Sequence, residues 1–236
     1  MRIAALSDFH IGARGYMDEF RHRESAFLAF LDRLEQDHDH IVLVGDIYQT
    51  EHALLPGSRA AAAQLARARA RMPALCERLQ GPQYLYVHGN HDAVAGPELA
   101  ARERLQLRAD DFTIVFIHGH QFDPVFQRAR AAAQAATWFT GRLRRAGLRP
   151  LAQWFEGRDV AIKHGRFGHA DGPYARAARE LLREHTADLV VMGHTHVPHL
   201  HSLPEGRVVN TGSCARGRRT HVSIDTATRS VEIHRE

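Results

Sequence analysis

The sequence predicts a layered α/β or α+β fold. Three observations carry that prediction: short apolar runs alternate with amphipathic stretches, the early runs end in Gly, Asp or His, and a set of short strand-like segments closes the chain. Residues 2–8 (RIAALSD) are the first expected strand. Residues 19–36 place Phe20, Phe27, Leu28, Leu31 and Leu34 at helical spacing. Residues 41–45 (IVLVG) are apolar without alternation, as a strand covered on both faces is. Residues 58–80 are rich in Ala and Arg and read as helix, with a break near Pro73. YLYVHG at 84–89 and FTIVFIHG at 112–119 are the third and fourth strands. A helix over 174–186, a strand at 189–193 (LVVMG), and the segments RVVN, THVSID and SVEIH follow.

The 236 residues suit one elaborated domain, 1–236. With 44% apolar and 25% charged residues, wholesale disorder is excluded. No run approaches the roughly 18 apolar residues of a membrane span, and Met1-Arg2-Ile3 leads straight into a strand. The expectation is therefore a cytoplasmic protein. Cys76 and Cys214 stand far apart, which excludes a disulfide framework. Lys and Arg number 31 against 27 Asp and Glu, a net charge of +4, and Lys163 is the sole lysine. The basic residues are dispersed and no nucleic-acid module is present, so nucleic acid is not an expected partner. Eighteen histidines stand out more, because imidazole is the commonest metal ligand and the usual acid or base near neutral pH.

One interval is too long. His118 and His194 lie 76 residues apart, where a strand-to-strand crossover takes about 30. The surplus reads as a helical insertion over 122–170. It carries Phe122, Phe126, Trp138, Phe139, Leu143, Leu148, Trp154 and Phe155 beside Arg128, Arg130, Arg142, Arg144, Arg145 and Arg149. Two readings stand: a helical hairpin packed on the core with a solvated Arg face, or a cap for an amphipathic or lipid-like anion, with peripheral membrane contact.

The chemistry-bearing residues follow the strands. Asp8-Phe9-His10 closes the first, Gly45-Asp46 the second, Gly89-Asn90-His91-Asp92 the third, His118-Gly119-His120 the fourth, and Gly193-His194-Thr195-His196 the last long one. In open α/β sheets the carboxyl ends of strands line the ligand crevice. Each motif alone is common; a GD at a strand end is usually a turn or cap. All five in this order are not.

That series, spread over residues 5–213, resembles the calcineurin-like metallophosphoesterase superfamily. The resemblance implies two packed β-sheets flanked by helices, a β-sandwich with a binuclear metal centre at the strand ends. It further implies that Asp8, His10, Asp46 and His196 hold one cation and that Asp46, Asn90, His118 and His194 hold the other, with Asp46 bridging. Independently of the family, one carboxylate can hold two cations ~3.5–4 Å apart. Asp, Asn and His donors without thiolate suit borderline divalent metals, with Mn²⁺ the first expectation and Fe²⁺ or Zn²⁺ the others. A metal-bound hydroxide would attack phosphorus in line, and His91 would protonate or steady the leaving oxygen. His120 is expected either near a ligand or substrate or on the surface.

The resemblance implies more: many members read G-D-x-x-D, where the last Asp orients and charges the leaving-group histidine; here Gln49 stands at that position, where it either orients that histidine or simply lines the pocket, with Asp92 the other candidate partner. The insertion is similar in placement to that of the UDP-2,3-diacylglucosamine pyrophosphatases, whose helical cap holds acyl chains. That subfamily has Arg where this chain has His91, and Asn210-Thr211-Gly212-Ser213 is the ending of generic phosphoesterases. The expected activity is hydrolysis of a phosphodiester or pyrophosphate bond, in a lipid-linked or sugar nucleotide. A phosphomonoester or phosphoprotein phosphatase and a nuclease are the alternatives. A non-catalytic scaffold is disfavoured, because all seven ligands and His91 are present.

Overall fold

The computed structural model describes residues 1–15, 17–53, 57–167 and 172–236. Two five-stranded sheets form its centre. The first contains β1 (Arg2–Leu6), β3 (His40–Val44), β5 (Tyr84–Val87), β11 (Thr220–Asp225) and β12 (Ser230–Arg235), in the order β12-β11-β1-β3-β5. The second contains β6 (Arg104–Ala109), β7 (Phe112–Ile117), β8 (Leu189–Met192), β9 (His199–Leu203) and β10 (Gly206–Asn210), in the order β6-β7-β8-β10-β9. A two-stranded ribbon pairs β2 (Ile11–Gly12) with β4 (Tyr48–Gln49). The helices are α1 (Glu24–Asp37), α2 (Ser58–Arg71), α3 (Pro73–Arg78), α4 (Ala95–Leu99), α5 (Pro124–Arg128), α6 (Arg130–Arg145), α7 (Arg149–Phe167) and α8 (Pro173–Glu184).

The side-chain alternation of the strands builds three layers of core. Ile3, Ala5, Val42 and Val44 of the first sheet face Ile114, Phe116, Leu189 and Val191 of the second, closing the sandwich. The opposite faces are also apolar: Ala4, Leu6, Ile41 and Leu43 pack under α1, α2 and α3, while Val115, Ile117, Val190 and Met192 pack under α8. This double coverage is why IVLV and LVVM carry no polar alternation. Phe9, Phe20 and Phe27 meet at ring distances of 4.7–5.7 Å and tie the segment after β1 to α1. Pro73 at the first turn of α3 separates it from α2, as its missing N–H requires.

β1, β3 and β5 run parallel, as do β7 and β8. Their carboxyl ends therefore open on one edge of the sandwich, with both sheets contributing. The insertion supplies α5, α6 and α7; residues 168–170 and the side chains of Arg130 and Arg149 lie outside the described part. The Arg face is not wholly solvated, because Arg144 is buried.

In the first sheet, the His221 ring of β11 stacks on His234 of β12 at 4.7 Å, and burial, aided by His234 and His38, pushes its pKa down to about 4. The unfolded chain takes up this proton near pH 6.5, and the native state resists it. Stability is thus full above pH 6.5 and declines as pH falls toward 4. In urea melts, His221→Gln should narrow the gap between the midpoints at pH 7 and pH 5; an unchanged gap would assign the acid sensitivity elsewhere.

Candidate metal centre

The backbone at the sheet edge is strained where the donors sit. Asp8, His10, Asp46, His194 and His196 all have positive φ, between 53° and 67°. Non-glycine residues rarely adopt this region, and the cost is of order 1–3 kcal/mol each. Strain gathered at one edge turns successive side chains of D-x-H and H-x-H toward a common point. Gly45 (φ 85°) leaves the space for this: a Cβ there would lie 2.4 Å from His118 Nδ1. At Gly89 it would lie 2.1 Å from Asp46 Oδ1.

The donors form a continuous cluster. His196 Nε2 stands 3.0 Å from Asp8 Oδ1 and 3.2 Å from His10 Nε2. His118 Nε2 stands 3.1 Å from Asp46 Oδ2. Donor atoms of Asp8, His10 and His196 lie within 4.8 Å of one another, as do those of Asp46, His118 and His194, and those of His10, Asp46 and His91. Asp46 belongs to two of these three groups. Asn90 shares the edge, with its Oδ1 buried.

Residues beyond the cluster aim it. His118 Nδ1 donates to the Val44 carbonyl at 2.8 Å, which leaves Nε2 toward Asp46. Asp8 Oδ2 accepts from Ser7 Oγ and from the His194 amide at 3.1 Å. Asp46 Oδ1 accepts from the His91 amide at 2.8 Å. Burial works against the Asp8 carboxylate, yet His196 outweighs it and brings the pKa to about 2. Burial likewise opposes the Asp46 anion, and His118 and His91 hold it well below the usual range. His118 itself, despite burial, is lifted to about 9 by Asp46 and Asp8.

These residues fit a pair of divalent cations. Asp8 Oδ1, Asn90 Oδ1 and His118 Nε2 are buried with no hydrogen-bond partner among the described residues. The His118–Asp46 approach is close but does not meet hydrogen-bond geometry, so the two atoms converge on a point rather than on each other. The unpartnered oxygens of Asp8 and Asn90 are acceptors that a shared positive charge would satisfy. The donor set contains no sulfur.

A cavity of about 510 Å³ opens from the cluster. Its floor carries Asp46, Asn90, His91 and His196; Val125, Phe126, Phe139 and Phe155 of the insertion form an apolar wall, with Arg216 and Arg218 at the rim. Arg144 of α6 reaches inward and pairs with buried Glu19 at 2.5 Å; Arg216 pairs with the other oxygen at 2.6 Å. Burial raises the Glu19 pKa, but Arg144 and Arg216 lower it overall.

All eight side chains singled out in the sequence, Asp8, His10, Asp46, Asn90, His91, His118, His194 and His196, are brought to this edge. Of the two readings of Gln49, the structure gives the second: it lines the cavity, and its amide bonds His10 Nδ1 at 3.2 Å and His52 Nε2 at 2.7 Å rather than His91. Asp92 is no substitute, because its oxygens take the amides of Asp46, Ile47, Tyr48 and Gly89 and the Tyr86 hydroxyl. Two carboxylates flank the His91 ring: Asp46, 4.0 Å from Nε2, and Glu51, 3.9 Å from Nδ1. His120 is not on the surface: burial, with His118 and His194, pushes its pKa down to about 2, and its ring packs on Phe126 at 4.9 Å. Sequence reading also passed over Asp123, whose Oδ2 lies 3.3 Å from His194 Nε2. The Asp123-Pro124 pair reads as a helix cap, which it is (the Asp123 carboxylate accepts from the Val125 amide), and its contact with His194 is a tertiary one.

A two-sheet sandwich with this donor set at its parallel-strand edge defines the class: a metal-dependent phosphoester hydrolase. Residues 1–198 match the calcineurin-like phosphoesterase family, and the chain belongs to it. It is similar to the UDP-2,3-diacylglucosamine hydrolase of Shewanella halifaxensis (strain HAW-EB4), 25% identical over 197 residues that cover 77% of this chain and 79% of that one. The protein of the same name from Shewanella sp. (strain W3-18-1) is 23% identical over 222 residues, covering 87% and 86%. Among solved structures, a hypothetical protein from Pyrococcus horikoshii OT3 shares the fold with a TM-score of 0.53 at 12% identity, covering 99% of this chain and 86% of that one. No helix among the described residues is long and apolar enough to cross a membrane.

Proposed function

We propose that this chain hydrolyses a pyrophosphate or phosphodiester bond at a two-cation centre, in a nucleotide substrate that carries an apolar tail. The observation that carries this reading is one cavity with two unlike halves: the cluster sharing Asp46 at its floor, and aromatic side chains of the insertion along its wall. The names of the two Shewanella relatives support a lipid-linked sugar nucleotide. Asp8, His10, Asp46 and His196 hold one cation; Asp46, Asn90, His118 and His194 hold the other. Mn²⁺ suits these donors, with Fe²⁺ or Zn²⁺ as the other candidates. When bound, such a pair neutralises charge on the phosphoryl oxygens and makes water a better nucleophile.

The rest is the work of this chain's own groups. His91 borders the cavity and gives a proton to the leaving oxygen, and the Glu51 carboxylate stands 3.9 Å from its Nδ1. Its backbone is anchored, because the His91 carbonyl accepts from both the amide and the hydroxyl of Thr50 at 3.0 and 2.6 Å. Phe126, Phe139 and Phe155 take the apolar tail. The large apolar side chains exposed among the described residues, Trp154 and Leu151 included, all belong to α5, α6, α7 and the turn between them, and this face makes peripheral contact with lipid.

A metal-supplemented comparison of phosphomonoesters, diesters, nucleoside diphosphate sugars and acylated sugar nucleotides tests the reading. The acylated sugar nucleotide should give the highest kcat/KM; preference for a monoester or for DNA would overturn it. Replacing Phe126, Phe139 and Phe155 together with Ser should raise KM for the acylated substrate by about tenfold or more, since each buried aromatic contributes about 1.5–3 kcal/mol. A small chromogenic diester should be spared. Equal losses on both would make the wall structural only.

A further inference from the structure

We propose that His52 is a positioning residue: through Gln49 it fixes which ring nitrogen of His10 carries the proton, and helix α6 of the insertion holds it in place to do so. The consequence for cations rests on the metal-centre reading above; the tautomer itself does not.

The three side chains form a directed chain. His10, Gln49 and His52 are all buried. His10 Nδ1–H donates to Gln49 Oε1 at 3.2 Å, and Gln49 Nε2–H donates to His52 Nε2 at 2.7 Å. The direction follows from what each end can offer. A neutral His52 with a bare Nε2 can only accept, so the amide must turn its NH₂ toward His52 and its oxygen toward His10. His10 then keeps its proton on Nδ1, and its Nε2 is left bare facing His196 Nε2. Were His52 protonated on Nε2, the amide would reverse and offer N–H to His10 Nδ1. The proton on His10 would then move to Nε2, the one atom a cation needs.

Two features keep His52 an acceptor. Burial, with the guanidinium groups of Arg144 and Arg145 nearby, holds its pKa well below the ordinary value. The insertion clamps it from outside. Gly141 of α6 sits so close that a Cβ there would lie 2.9 Å from His52 Cδ2, and Arg145 of the same helix donates to the His52 carbonyl at 2.7 Å. Its Nδ1 is buried with no hydrogen-bond partner among the described residues. The fold tolerates that loss while keeping Nε2 paired, which is the arrangement a tautomer selector needs. The helix that walls the cavity is thereby joined to the electronic state of a residue at its floor.

The test is made on ¹⁵N-labelled full-length protein without metal, reading imidazole tautomers by long-range ¹H–¹⁵N spectra and assigning His10 by its loss in His10→Gln. Wild type should show His10 as a single Nδ1–H tautomer. His52→Leu should give a mixture, and adding Gln49→Glu, whose carboxylate only accepts, should restore the single form. Should His52→Leu not fold, Gln49→Leu makes the same comparison. Mn²⁺ affinity, measured against a competing chelator, should fall by about 10–100-fold in His52→Leu and recover in the double variant. Gly141→Ala, which presses on His52 from the insertion, should weaken Mn²⁺ in the same direction and by less. An unchanged His10 tautomer in His52→Leu, or one left mixed by Gln49→Glu, overturns the proposal. A wild type that binds no Mn²⁺ overturns the metal-centre reading instead, and the tautomer comparison still decides this one.

Discussion

Asp46→Asn should all but abolish turnover and strip both cation sites. Asn keeps the size of Asp and tolerates left-handed backbone better than most residues, so the φ of 55° at this position is not a reason for the fold to fail. Oδ1 can still accept from the His91 amide. What is lost is the anionic oxygen 3.1 Å from His118 and the charge common to two donor groups. The expected fall in kcat on a nitrophenyl phosphodiester is at least about 10³-fold, larger than the roughly 10–100-fold that loss of a residue supporting a ligand produces. Bound Mn²⁺ per chain after dialysis should drop in parallel. Wild-type kcat at saturating Mn²⁺ would remove Asp46 from the bridging role.

His91→Ala should behave differently. Its ring is 4.0 Å from Asp46 Oδ2 and borders the cavity, near enough to reach a leaving oxygen. Loss of a general acid lowers turnover by about 10²–10⁴-fold. Bound metal should change little, since the other donors remain. The loss should be steepest for an alkyl leaving group that needs a proton and shallow for nitrophenolate, which leaves without one. A uniform loss across leaving groups, with metal depleted, would make His91 a ligand instead.

The donors were legible because their signals are local: an apolar run, then a carboxylate or imidazole beside a glycine. Residues 8, 10, 46, 90, 118, 194 and 196 were named from the resemblance that the series of strand-end segments carries, and the structure gathers them at one edge. The strand β6 was not anticipated, although RLQLRA alternates and Asp110-Asp111 turns it back on β7 with positive φ at both residues, a hairpin signal usually written with Asn or Gly. The short ribbon β2–β4 has too few residues to show a period. Around the site, spacing misled where shape decides. Gln49 occupies the place of a charged partner for His91 yet turns to His10, and Glu51 comes to His91 instead. A motif records the order of residues along the chain, not which way a two-residue strand presents them. Asp123 signalled only a helix cap, because its contact with His194 is tertiary, and His52 gave no sign of its link through Gln49 to His10, which lies in another segment.

The pairing of Arg144 with Glu19 has a consequence for how the insertion is held. Arg144 comes from the insertion and Arg216 from the loop after β10, so one buried carboxylate buckles the helical annex to the body of the sandwich beside the cavity.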